Sequence, residues 1–223
     1  MSYTRFAIYY MPPEGPLADF GASWLGWDAA HGRPGDQPDL PGLDDVTMTP
    51  RKYGFHATLK PPFRLAAGRD AAALDRAVAA LAAECAPASA SGLRLSRLGR
   101  FLALTPEGDA AGIDRVAAAC VRGLDGFRAP ASEAELARRR AARLSDRQEA
   151  LLARWGYPYV MEEFRFHMTL TGRLPQAEIA RWVALLEARL PALPAPFVLD
   201  QVALMGERAD GRFELIQRYA LSG

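Results

Sequence analysis

His56-Ala57-Thr58-Leu59 and His167-Met168-Thr169-Leu170 are two copies of one pattern, H-x-T-L, and they use two of the three histidines in the chain. A Phe precedes each copy (Phe55, Phe166), and basic residues stand close by: Arg51, Lys52 and Lys60 around the first, Arg165 and Arg173 around the second. Both segments read as strands, and a strand sends alternate side chains to opposite faces. Phe55, Ala57 and Leu59 then share one face of the first copy, with His56, Thr58 and Lys60 on the other. In the second, Phe164, Phe166, Met168 and Leu170 make the apolar face, and Arg165, His167, Thr169 and Thr171 the polar one. Each copy sets an imidazole beside a hydroxyl on a rigid element.

A single H-x-T in a strand says nothing, because His and Thr both occur in half-buried strands. Here the echo extends further. After each motif come a Pro break, a helical run, more Pro, a strand-like stretch and then Gly-Arg-Phe. His56 stands 43 residues before Gly99 of Gly99-Arg100-Phe101, and His167 stands 44 before Gly211 of Gly211-Arg212-Phe213. Register kept by independent features marks one supersecondary unit used twice. The expected fold class is α+β: a duplicated, bilobal arrangement of two lobes related by a pseudo-twofold. Antiparallel-rich sheets should face a central cleft, with helices outside. The chain reads as one bilobal domain over residues 1–223. Its first motif unit covers about 53–105, a helical insertion about 107–156, and the second unit about 160–221.

In chain order, residues 4–11 read as a strand ended by Pro12-Pro13. A helix is expected over 17–30, with His31 at its C-terminus, where an imidazolium meets the dipole favourably; His31 reads as structural. Residues 32–50 read as a surface loop, in which Asp44-Asp45 is turn chemistry and not a metal site. The first motif strand runs over 53–60 and stops at Pro61-Pro62. Helices follow at 70–85 and 107–124, with a strand pair or one long strand between them at 92–105. Residues 133–155 read as a single helix with six arginines, Arg138, Arg139, Arg140, Arg143, Arg147 and Arg154. A solvated face balanced by acids is the plain reading; the other is that one or two arginines lean over the cleft. A helix at 176–190 and two strands at 197–206 and 212–221, joined through Asp210-Gly211, complete the chain.

With 223 residues and a net charge of +1, the chain can bury a substantial core and presents no global field for long nucleic acid or a membrane surface. Residues 1–13 lack signal-peptide architecture, and no apolar run reaches bilayer length, so the expected compartment is the cytoplasm. Cys85 and Cys120 sit in Ala-rich helical context and read as free thiols; the pattern offers no zinc site. No cofactor, metal or obligate protein partner is expected.

A pseudo-twofold brings His56, Thr58, His167 and Thr169 to opposite walls of one cleft. One neutral imidazole can take a proton and one protonated imidazole can deliver one, while the threonine hydroxyls donate to phosphate oxygens. This constellation resembles the 2H phosphoesterase superfamily, with its two H-x-[ST]-hydrophobic motifs on a duplicated fold. More narrowly, residues 53–60 and 164–173 look like the DUF1045 branch, which is associated with phosphonate metabolism. The resemblance implies a metal-independent phosphodiesterase acting on a small cyclic phosphate of a sugar or nucleotide. It also implies that His56 and His167 are catalytic and that Thr58 and Thr169 hold phosphate. Lys60, Arg165, Tyr53 and Tyr9 are further candidates for substrate binding, and Tyr157 and Tyr159 could stack on a base. Two alternatives stay open: RNA-end processing or ligation, and a phosphate or nucleotide sensor without catalysis.

Overall fold

The aromatic and β-branched run Phe6–Tyr10 forms β1, buried along its whole length inside the main sheet. The computed structural model describes residues 3–223, with Met1 and Ser2 outside the described residues. Helix α1 (Pro16–Leu25) stops at Gly26, whose φ of 73° turns its amide back onto the carbonyls of Ala22 and Ser23. The helix read over 17–30 is therefore too long. Trp27–Asp28 is β2 and pairs with β3, Arg33–Pro34. His31 lies between these two strands, Nδ1 2.7 Å from Asp28 Oδ2, and not at a helix C-terminus.

The stretch read as loop over 32–50 contains α2 (Leu43–Arg51), with Asp44 and Asp45 in its first turn. Leu43 and Thr47 are buried, and Arg51 donates to Asp44, Gln37 and Thr47. Tertiary contacts stabilise this helix against a local composition that favours loop. β4 (Ala57–Phe63) starts just after His56, not at Tyr53 where the sequence reading began it, and continues through Pro61-Pro62, where that reading ended it. The ladder to β1 pairs Phe63 and Lys60 but neither proline, so no donor is missed.

Asp70 caps α3 (Ala71–Glu84) by accepting from the Ala73 amide. A short β5 (Ala88–Ala90) leads to a hairpin of β6 (Gly92–Leu98) and β7 (Phe101–Glu107), which settles the strand-pair reading. After α4 (Ala111–Gly123), the expected 133–155 helix is two helices, α5 (Glu133–Arg140) and α6 (Asp146–Trp155). Each opens with a capping box, Ser132 with Glu135 and Ser145 with Gln148, and Arg143 between them has φ 54°. Those S-x-x-E and S-x-x-Q spacings are sequence signals of two starts. The second motif forms only a short β8 (Met168–Thr169), then come α7 (Ile179–Glu187), β9 (Phe197–Leu199), β10 (Gln201–Glu207) and β11 (Phe213–Ala220).

Seven strands form one sheet in the order β11-β10-β1-β4-β8-β7-β6, antiparallel at every step. β5 and β9 make a small separate antiparallel pair. The fold is α+β. The two motif strands are neighbours within the main sheet, joined at a seam by the pair Ala57↔Met168. Each motif's following hairpin lies on the other motif's side of that seam: β6-β7 beside β8, and β10-β11 on the side of β1 and β4. The two units read along the chain are thus interleaved in space. The core cluster takes Ile8, Leu59 and Met168 from the sheet, and Val78, Cys120 and Trp182 from helices. Cys120 is buried and Cys85 half-buried, both as free thiols. Among the described residues no helix is long and apolar enough to cross a membrane.

Candidate active site

The turn that delivers His56 is built on Gly54. Its amide bonds back to Arg51 at the end of α2, its φ is 74°, and an added Cβ would come within 2.4 Å of Ala29 Cβ. Only glycine fits there without strain. The Gly54 carbonyl accepts a hydrogen bond from His56 Nδ1 at 2.9 Å, and the Arg165 carbonyl accepts one from His167 Nδ1 at 2.7 Å. A carbonyl can only accept, so each ring carries its proton on Nδ1 and presents Nε2 as the free base. Both histidines are held in the same way, by the backbone two residues upstream.

With Ala57 opposite Met168 in an antiparallel pair, the flanking residues come opposite each other crosswise: His56 faces Thr169, and Thr58 faces His167. Each imidazole therefore has a hydroxyl two residues on and another across the seam. The Thr58 hydroxyl lies 3.0 Å from His56 Nε2 and donates to it. Tyr9 of β1, paired with Thr58, is buried and stacks on His56 with ring centroids 3.8 Å apart. Phe101 packs beside His167 at 5.7 Å, while Phe213 packs on Tyr9 and Tyr53 around His56. The repeated Gly-Arg-Phe thus supplies an aromatic beneath each half of the site, a role the sequence signalled only by its echo.

Two adjoining chambers make up the cleft. His56, Tyr9, Tyr53, Thr169, Arg5, Arg139 and Arg173 are among the residues lining the first, of about 350 Å³. His167, Arg165, Arg97, Tyr159, Phe164 and Glu163 help line the second, of about 640 Å³. Thr58, Pro61, Phe101 and Tyr157 border both. Of the six arginines of the insertion, Arg139 lines the first chamber, lying over the Tyr157 ring at 4.4 Å. Arg140 and Arg147 pair with Glu149 and Glu162 on the surface. Arg5 was not foreseen as a site residue; it lies outside both motifs, and only the sheet brings it in.

Lys60 is not in the cleft. Between Tyr9↔Thr58 and Ile8↔Lys60 the ladder takes up one extra residue on β4, a bulge that turns Leu59 and Lys60 to the same side. Lys60 is buried there, donates to the Val121 carbonyl of α4 at 3.1 Å and lies 3.8 Å from Asp125. The strict alternation expected of the strand fails at that one step.

A profile of the family described as "Protein of unknown function (DUF1045)" matches residues 58–214. This chain belongs to the DUF1045 family. The DUF1045 match starts at Thr58, inside the first motif, and contains the whole of the second. Two curated proteins are similar to the chain: the ribose 1,5-bisphosphate phosphokinase PhnN of Janthinobacterium sp. (strain Marseille) is 44% identical over 183 residues, 79% of this chain and 40% of that protein. The protein of the same name from Laribacter hongkongensis (strain HLHK9) is 37% identical over 186 residues, 81% of this chain and 43% of that protein. The chain spans about two fifths of the length of these relatives. Among solved structures, E. coli LigT complexed with 3′-AMP covers the full length of both chains at 16% identity and a TM-score of 0.45. A structure titled phosphoesterase does so at 16% and 0.42.

Burial sets the electrostatics of the DUF1045 cleft. It pulls His56 down from 6.5 to about 4, with the Gly54 carbonyl opposing and the nearby His167 adding to the shift. Burial lowers His167 too, against the Arg165 carbonyl. A histidine held neutral stabilises the fold fully above 6.5, and that contribution is lost as pH falls toward 4, because the unfolded chain takes up a proton the folded one refuses. Wild type is therefore expected to lose more Tm between those pH values than His56→Asn. Parallel Tm curves for the two would count against it.

Proposed function

We propose that the chain is a phosphodiesterase that opens a five-membered cyclic phosphate of ribose, with His56 as general base and His167 as general acid. The observation that carries this reading is the crosswise setting of two His-Thr pairs at the seam, each imidazole tied through Nδ1. His56 is neutral at any pH well above 4 and takes a proton from the attacking water through Nε2. The water oxygen bonds to phosphorus, the bond from phosphorus to one ring oxygen breaks, and protonated His167 gives its proton to that oxygen. Thr169 donates to a non-bridging oxygen as charge builds there, and Thr58 turns its hydroxyl proton from His56 Nε2 to the other, which frees that nitrogen for the water. The choice of ribose draws on the curated relatives, whose names specify a phosphorylated ribose as their substrate.

The test is a turnover screen over ribose 1,2-cyclic phosphate and nucleoside 2′,3′-cyclic phosphates, with a His56→Ala/His167→Ala double variant as blank. Turnover of the ribose compound is expected, unaffected by EDTA. Thr58→Ala and Thr169→Ala are each expected to lose about 10²-fold. Against pH, kcat/KM should rise through the base near 4 and fall through the acid below 6.5, since burial lowers both rings. Absence of turnover, or strict metal dependence, overturns the reading.

One observation favours a second reading, RNA-end processing. The second chamber has Tyr157, Tyr159, Arg97 and Arg165 at its walls, and Tyr159 is 43% exposed, so a base could stack there. Faster cleavage of a cyclic-phosphate-ended RNA oligomer than of the mononucleotide would select it.

A further inference from the structure

The first chamber carries more positive charge than one cyclic phosphodiester calls for. Arg5 reaches it from just before β1, Arg139 from α5 and Arg173 from just after β8, and among the described residues no lining residue is acidic. Glu207 grips Arg5 through both Nε and Nη2, so that charge is answered and the side chain is fixed. Arg139 has only the face of Tyr157, and among the described residues neither it nor Arg173 pairs with a carboxylate. The reacting phosphate carries one negative charge and is placed at the seam by the threonines. Two unanswered guanidiniums to one side of it suit a further dianion, and the planar guanidinium fork matches phosphate oxygens. The second chamber is less suited to one, because the Glu163 carboxylate is on its wall.

We infer that Arg139 and Arg173 form a second anion subsite, which takes a phosphomonoester on the same sugar as the cyclic phosphate. This rests on the phosphodiesterase reading and narrows its substrate class to bisphosphorylated sugars. Thr49, at the α2 end of the same chamber, adds a hydroxyl donor. The α5-α6 insertion, absent from the first half of the repeat, thereby acquires a purpose: it brings Arg139 over the sugar.

The experiment compares ribose 1,2-cyclic phosphate with and without a 5-phosphate, for wild type, Arg139→Ala, Arg173→Ala and, as a control, Arg138→Ala, an exposed neighbour that does not line the chamber. In wild type, kcat/KM should favour the 5-phosphorylated compound by about 100-fold, and each cleft variant should shrink that ratio about tenfold. The control should leave the ratio where it was. Equal turnover of the two compounds, or variants that slow both alike, overturns the subsite. Titration with ribose 5-phosphate separates the two ideas if neither compound turns over. Binding weakened by the Arg139→Ala/Arg173→Ala double variant keeps the subsite while the phosphodiesterase reading falls. No binding, or binding the double variant leaves intact, removes the subsite.

Discussion

Replacing either His56 or His167 with alanine is expected to lower kcat/KM on a cyclic ribose phosphate by about 10³–10⁴-fold, and the double variant to lose little more than either single one. The reason is that base and acid serve one displacement: without the proton acceptor the water is a poor nucleophile, and without the donor the ring oxygen leaves as a bare alkoxide. Each ring has one backbone bond, through Nδ1: Arg165 is exposed, so truncating His167 leaves its carbonyl to water, while truncating His56 unpairs the carbonyl of buried Gly54 and should lower Tm without breaking the sheet. Loss of activity should therefore come with a native far-UV spectrum and a cooperative melt. A His167→Ala variant keeping more than about a tenth of wild-type kcat/KM would exclude the two-histidine displacement.

The largest expected effect on stability lies at Trp24. Its side chain is 1% exposed, packs edge-on to Trp182 at 6.1 Å, and donates its indole N–H to the Leu170 carbonyl at 2.8 Å. Leu170 closes the second motif, so one residue of α1 anchors β8, the short strand that follows His167 directly. Trp24→Ala should cost about 3–5 kcal/mol in urea unfolding, the range for removing a large buried aromatic. Trp24→Phe keeps most of the packing and strands the carbonyl, which should cost about 1–3 kcal/mol. If Trp24→Ala unfolds at the wild-type midpoint, α1 does not hold that strand.

The core pattern was legible wherever local periodicity and tertiary packing agree. Phe55, Ala57, Leu59, Phe166, Met168 and Leu170 are all buried, as their alternation requires. The expected helix over 70–85 appears as α3, and residues 92–105, read as a strand pair or one long strand, form the hairpin β6-β7, because capping at Asp70 and the turn at Gly99 are local chemistry. Legibility failed where a distant contact decides the conformation. α2 exists because Arg51 reaches back to the Leu25 carbonyl and to Gln37 in a packed neighbourhood. The single helix expected over 133–155 fails for a different, local reason, because two serine caps outweigh a continuous helical composition.

By itself the sequence determined which residues could do chemistry here. It holds two imidazoles, each with a hydroxyl at i+2 and an apolar set between, and strand alternation obliges each pair to share a face. Tertiary structure alone decided which further side chains join them. The seam pair Ala57↔Met168 sets the two motifs crosswise, the bulge at Leu59 turns Lys60 into the layer under α4, and Arg5, Arg139 and Arg173 converge from three remote segments. The physical reason is one of range. Alternation and capping act over a few residues, whereas strand order and ladder register follow from how the whole core packs, and no local pattern encodes that.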